Sequence, residues 1–154
     1  MSLISPSDQQ KLRDAFAQMT RAVRLLFFTQ TLGCDTCPQT RRILDELPPL
    51  SDKITVEDVN VILDGDRAKQ YGVDRAPSVA IDYQDAHATG AAASVEWKDS
   101  RMRFIGTPAG YEFMSLVQAV LLAGGRESIL SDASRERIAA VDRPITMQVF
   151  TTPT

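Results

Sequence analysis

The chain has 154 residues, 44% hydrophobic and 24% charged, with a formal net charge of −3 at pH 7; this is enough apolar material for a core without metal or disulfide staples. An acidic balance with no basic stripe argues against nucleic acid as a partner, and the longest apolar runs, 25–28 and 119–123, are far too short to span a membrane. The first residues carry neither the basic nor the apolar region of a secretory signal, so the expected location is cytoplasmic.

Leu12, Ala15, Phe16 and Met19 recur at i, i+3, i+4 and i+7 behind a Ser7/Gln10 capping-box pattern, which predicts a helix over 8–19. Val23–Thr29, with the unbroken apolar stretch Leu25–Phe28 at its centre, predicts a strand buried on both faces. A loop at 30–33 leads to a helix that opens at Cys34-Asp35-Thr36-Cys37, presents Thr40, Ile43, Leu44 and Leu47 on one face, and stops at Pro48-Pro49. Residues 54–61 read as the next strand, with a slip of alternation between Val56 and Val59 that predicts a bulge. A short helix over 66–71 ends at Gly72, and a strand over 78–83 follows Ala76-Pro77. The Ala- and Gly-rich stretch 85–94, with the single His87, reads as a loop or lengthened turn. Two strands, 95–98 and 101–105, are expected around Asp99-Ser100. Pro108 is expected to open the last strong helix, with Phe113, Leu116, Val117, Val120 and Leu121 as its stripe and Gly124-Gly125 as its cap. A modest helix over 134–141 and a strand-like run over 145–151 follow. Strands alternating with helices, then a hairpin, imply an α/β fold with a central mixed sheet and helices on both faces.

The chemistry lies at the two cysteines, three positions apart at a helix start. Dithiol–disulfide exchange needs one ionisable, exposed thiol to attack and a second one turn away to resolve the mixed disulfide. The positive end of the helix stabilises a thiolate there. Cys34, ahead of the helix proper, is assigned as the nucleophile, and Cys37, inside the first turn, as the resolving thiol. Pro38 suits a first turn because its missing N–H would be unpaired anyway. Asp35 and Thr36 tune the pair: a carboxylate beside Cys34 opposes its ionisation, which favours the disulfide and makes the pair lean towards a reductant.

Other uses of these residues are weighed beside this one. A structural zinc site needs four ligands, and one cysteine pair with His87 supplies three, so a zinc or cluster site would need a second chain. Two small buried hydrophobes are the plain structural reading of the cysteines, and a solvated loop residue is that of His87. Glu57 is read as a solvated strand carboxylate, with proton acceptor for Cys37 as the alternative. Trp97 is read as a packing residue, and Arg41-Arg42 as a solvated helix face, with steering of acidic substrates or offsetting of Asp35 as the alternatives. Pro77 by itself is a strand-start proline.

Three strings together carry a family resemblance: Cys34-Asp35-Thr36-Cys37 after a buried strand, Val73-Asp74-Arg75-Ala76-Pro77, and Phe104-Ile105-Gly106-Thr107-Pro108-Ala109-Gly110-Tyr111-Glu112-Phe113. They resemble the protein disulfide oxidoreductases, glutaredoxin-like proteins built from tandem thioredoxin folds. The resemblance implies a thioredoxin-like three-layer α/β/α sandwich and a cis Ala76–Pro77 pair lying against the disulfide. The backbone of that pair would bind an extended substrate segment. The resemblance further implies protein disulfides as substrates, a flavoprotein reductase or glutathione as electron donor, and no bound cofactor or metal beyond the redox-active Cys34–Cys37 disulfide. The Asp-Thr pair departs from the Pro-Tyr or Gln-Tyr common in the family, so the redox poise does not carry over.

The expected organisation is an N-terminal helix at 1–21, a thioredoxin-like domain at 22–125, a linker helix at 126–143, and at 144–154 the first strand of a second, absent unit. That strand would normally run into a second CxxC. Its Ile145, Met147 and Val149 would either join another sheet edge, giving a homodimer, or fray. The leading function is thiol–disulfide exchange with protein substrates, and the alternative is a redox-inactive protein-binding module of the same fold.

Overall fold

The buried run Val23–Thr29 organises the whole architecture. In the computed structural model, which describes residues 3–85 and 96–151, it is the inner strand β1 of a four-stranded sheet ordered β2-β1-β3-β4. β1 runs parallel to β2 (Ile54–Asn60) and antiparallel to β3 (Ser78–Gln84), and β3 runs antiparallel to β4 (Trp97–Ile105). A strand covered on both faces has no solvent side to alternate with, which is why Leu25, Leu26, Phe27 and Phe28 are all buried.

The two faces differ. Val23, Leu25 and Phe27 pack with Phe16 of helix α1 (Pro6–Phe16), Leu44 of α2 (Cys37–Leu44) and Leu116 and Val120 of α4 (Tyr111–Ala123). Leu26 and Phe28 pack with Val59 and Val73 and with Ala68 of α3 (Gly65–Gln70). The result is a three-layer sandwich with one thick helical layer and one thin one.

Several local expectations need correction. α1 starts at Pro6, and its cap is Ser5, whose Oγ accepts from the Asp8 N–H at 3.2 Å. Proline at the first helical position loses no hydrogen bond, so the Ser7/Gln10 pattern is not used. β2 contains no bulge: its register with β1 is unbroken from Val23↔Ile54 to Thr29↔Asn60. The slip of alternation has another cause. Ile54 and Val56 serve the thick core and Val59 the thin one, so a strand buried on both sides mimics a bulge.

The two strands expected around Asp99-Ser100 are one strand, β4, whose register shifts opposite Ala80 and Asp82. Arg101 there takes a positive φ of 63°, and the Asp99 carboxylate accepts its N–H at 2.7 Å. Short polar residues that suggest a turn here support a bulge. α4 opens at Tyr111 rather than Pro108, behind Gly110 at φ 57°. It ends as expected at its glycine pair, where the N–H groups of Gly125 and Arg126 return to the carbonyls of Leu122 and Leu121 at 3.1 and 3.0 Å.

α5 (Asp132–Ala139) begins two residues early and buries nothing. The run 145–151 is not a strand: Ile145, Met147 and Val149 are exposed and pair with neither edge of the sheet. A strand needs a partner to satisfy its backbone, and none of the described residues supplies one. The expected loop at 85–94, with His87, lies outside the described residues after Asp85.

Candidate functional site

β1 and β2 both end, β3 begins and β4 ends at one edge of the sandwich, so four connecting segments meet there. The first of them carries the cysteines. Cys34 and Cys37 are joined in a disulfide, with Cα atoms 5.4 Å apart. Their environments are unequal: Cys34 is half-buried, whereas Cys37 is 5% exposed and belongs to the thick core. This asymmetry suits one thiol to meet a partner and the other to stay behind. Thr36 is the N-cap of α2 and makes no side-chain capping bond, so the positive end of the helix is left for the sulfurs. Asp35 and Thr36 are both exposed.

α2 is held at this edge by a hydroxyl pair that sequence reasoning did not single out. Thr40 is wholly buried; its Oγ1 donates to the Thr36 carbonyl at 3.0 Å and lies 2.8 Å from Thr107 Oγ1. A hydroxyl has one proton, so Thr107 must donate the second bond. The link joins the cysteine helix to the segment after β4. The available signal was a threonine at position 40 on an otherwise apolar stripe.

The third segment brings Ala76 and Pro77, whose peptide bond is cis, as the resemblance implied. Pro77 is buried, and Ala76 packs against the same core as Cys37 and Cys34. The Pro77 carbonyl accepts from Gly106 N–H at 2.8 Å, and Ser78 Oγ donates to the Arg75 carbonyl at 2.7 Å. The backbone at 75–77 is thus pinned on both sides of Ala76, which lies just outside the β3 ladder.

The remaining candidates lie elsewhere. Glu57 stands on the opposite, thin-core side of the sheet in register with Leu26. It is paired with Arg67 and with Arg24, the latter at 3.0 Å. The hydrogen bond from Arg67 holds its carboxyl below the usual range, and burial opposes this only in part. That location excludes it as a proton acceptor for Cys37. On the same side Asp82 is fully buried and accepts from Arg24 and from the Tyr71 hydroxyl, both at 2.7 Å. Burial, then the hydrogen bond to Asp82, pushes the Tyr71 phenol up to about 12. Trp97 packs under Arg24, whose guanidinium lies 4.7 Å from the ring centre. Arg41 is engaged with Asp45 at 2.8 Å and with Asp58, so it does not offset Asp35. Among the described residues no three His, Cys, Asp or Glu side chains converge as a metal site would require.

No protein-family model matches the chain, and no curated protein is significantly similar to it. Solved structures are similar. The N-terminal domain (NTD_N/C) of alkylhydroperoxide reductase AhpF from Enterococcus faecalis is 27% identical with a TM-score of 0.75, over 91% of this chain and 62% of that one. The AhpF subunit of the same organism is 28% identical with a TM-score of 0.73, over 89% of this chain and 60% of that one. A protein disulfide oxidoreductase from Aeropyrum pernix is 25% identical with a TM-score of 0.69, over 88% of this chain and 54% of that one. The chain therefore spans between about half and two thirds of the length of these structures. With its mixed sheet and its cysteine pair it resembles them as a thioredoxin-like unit. No helix among the described residues is long and apolar enough to cross a membrane.

Proposed function

We propose that this thioredoxin-like chain is a thiol–disulfide oxidoreductase that acts on protein disulfides through Cys34 and Cys37. In the reduced protein the Cys34 thiolate attacks a substrate disulfide; one Cys34–substrate bond forms and the other substrate sulfur leaves as a thiolate. Cys37 then loses its proton and attacks Cys34 Sγ, releasing the second substrate thiolate and closing the Cys34–Cys37 disulfide. Two electrons pass to the substrate, and its thiolates take up the two protons given up by Cys34 on ionising and by Cys37 on attack. The single observation that carries the reading is the pairing of a half-exposed Cys34 with a core-buried Cys37 at the start of α2, beside Ala76-Pro77.

The direction we favour is reductive. Asp35 beside Cys34 opposes thiolate formation, and two of the similar structures come from an alkylhydroperoxide reductase. Electrons would then come from a flavoprotein reductase, with glutathione as the second candidate, in the reducing environment of the cytoplasm. The disulfide itself is the only redox group this scheme needs. The exposed Ile145, Met147 and Val149 offer a surface for a homodimer, read by sedimentation of the whole chain.

Equilibrating the protein in a glutathione or dithiothreitol redox series with thiol trapping tests the reading. A reversible two-electron transition near or below about −230 mV, in the thioredoxin–glutaredoxin range, is expected. A value near about −150 mV reverses the direction and removes the role given to Asp35. No reversible transition, together with no reduction of insulin, overturns the enzyme and leaves a redox-inactive binding module.

A further inference from the structure

The disulfide edge of the sandwich leaves large apolar side chains in water. Leu32 is 85% exposed, Ile62 73% and Leu63 82%. The Val61 N–H donates to the Thr29 carbonyl at 2.9 Å, so the segment carrying Leu32 and the cysteines leaves the sheet beside the segment carrying Ile62 and Leu63. That second segment is tied down. Asn60 Oδ1 accepts from the N–H groups of both Ile62 and Leu63, at 2.9 and 3.0 Å. Asp64 in turn accepts from the Asn60 N–H at 3.2 Å. A turn bonded in this way holds two aliphatic side chains outward and forgoes their burial, while sparing a partner much of the entropy of ordering them.

Arg75 is paired with its neighbour Asp74 and Arg41 with Asp45 and Asp58, while Arg42 and Lys69 are exposed and, like the acidic residues named next, have no ion pair among the described residues. Asp35 and Asp66 are exposed, and neither has an ion pair among the described residues. Asp64 is exposed as well.

Resting on the oxidoreductase reading above, we infer that Leu32, Ile62 and Leu63, with the acidic rim of Asp35, Asp64 and Asp66, form the docking surface for substrate. The occupant is a protein segment that carries apolar residues beside its reactive cysteine and a lysine or arginine next to them. The apolar side chains cover Leu32, Ile62 and Leu63, and the cation meets the unpaired carboxylates. Opposite charge accelerates the encounter, and the apolar contact prolongs it while Cys34 forms its bond to the substrate sulfur.

The test uses the full chain, reduced beforehand, and three disulfides: two synthetic peptides with the same apolar residues around an internal disulfide, one flanked by lysines and one by glutamates, and neutral bis(2-hydroxyethyl) disulfide. At low ionic strength the lysine peptide is expected to react about tenfold faster than the glutamate peptide. At 1 M salt, where charges are screened within about 3 Å, the ratio falls below about twofold. In the variant I62S/L63S, with folding checked by thermal unfolding, the lysine-peptide rate divided by the hydroxyethyl disulfide rate drops at least about fivefold. Equal peptide rates at low salt, or an unchanged normalised rate in I62S/L63S, overturn the docking surface and leave the enzyme intact. No exchange with hydroxyethyl disulfide by the unaltered chain overturns the oxidoreductase reading and this inference with it.

Discussion

Replacing Arg24 by leucine isolates the charge network on the thin side of the sheet. Arg24 donates to the fully buried Asp82 at 2.7 Å and to the more exposed Glu57 at 3.0 Å, and it lies over Trp97. The variant leaves the Asp82 carboxylate buried with only the Tyr71 hydroxyl as a donor. Breaking one partner out of a buried pair costs about 3–5 kcal/mol, whereas the Glu57 contact contributes at most about 1 kcal/mol at its exposure. With a urea m-value of about 2 kcal/mol/M, a loss of about 3 kcal/mol lowers the unfolding midpoint by about 1.5 M.

The double variant R24L/D82L should recover much of this loss. Asp82 Oδ1 and Arg24 Nε are buried without a hydrogen-bond partner among the described residues, so the native pair is itself imperfectly satisfied. Two apolar residues facing each other avoid that penalty. A coupling of at least about 2 kcal/mol between the two sites is therefore expected from the four-variant cycle. The reduction potential should stay within about 10 mV throughout, because the network sits on the opposite face from Cys37 and at the other end of β1 from the cysteine segment. Additive losses, or an R24L loss below about 1 kcal/mol, would refute the claim that Arg24 compensates a buried charge. A large shift in potential would refute the separation of network and redox site.

Cys37→Ser should trap a mixed disulfide between Cys34 and a protein substrate, visible as a reducible adduct in mass spectrometry, and Cys34→Ser should trap none; adducts at Cys37 would reverse the assigned roles. Asp35→Asn removes the carboxylate beside Cys34 and should raise the reduction potential by about 30 mV, the equivalent of about tenfold in the exchange equilibrium; an unchanged or lower potential removes the tuning role. Tyr71, held at about 12 against an ordinary 10.0, gives an alkaline prediction. Because folding favours the neutral phenol, its contribution is complete below about pH 10 and is lost as pH rises towards about 12. Absorbance at 295 nm should show one phenol titrating late together with a falling denaturation midpoint, and D82N should bring that titration earlier.

Residue pattern was sufficient wherever one local force decided the outcome. The four consecutive apolar residues Leu25–Phe28 marked β1 as an inner strand, and the cysteine pair behind it marked both the helix start and the chemistry. The Gly124-Gly125 stop was equally legible, because a left-handed residue is needed there and Gly125 takes φ 101°. Other features were set by partners distant in sequence. Val59 faces away from Ile54 and Val56 because α3 provides a second core, so pattern alone suggested a bulge that does not exist. The Asp99 bulge is visible only against β3, and the Thr40–Thr107 link joins residues with no local relation. The partners of Glu57, and hence its exclusion from the redox site, likewise depend on which face of the sheet it occupies. The run at 145–151 has the composition of a strand, but composition alone cannot satisfy a backbone; that takes a neighbouring edge, and none of the described strands is there to provide it.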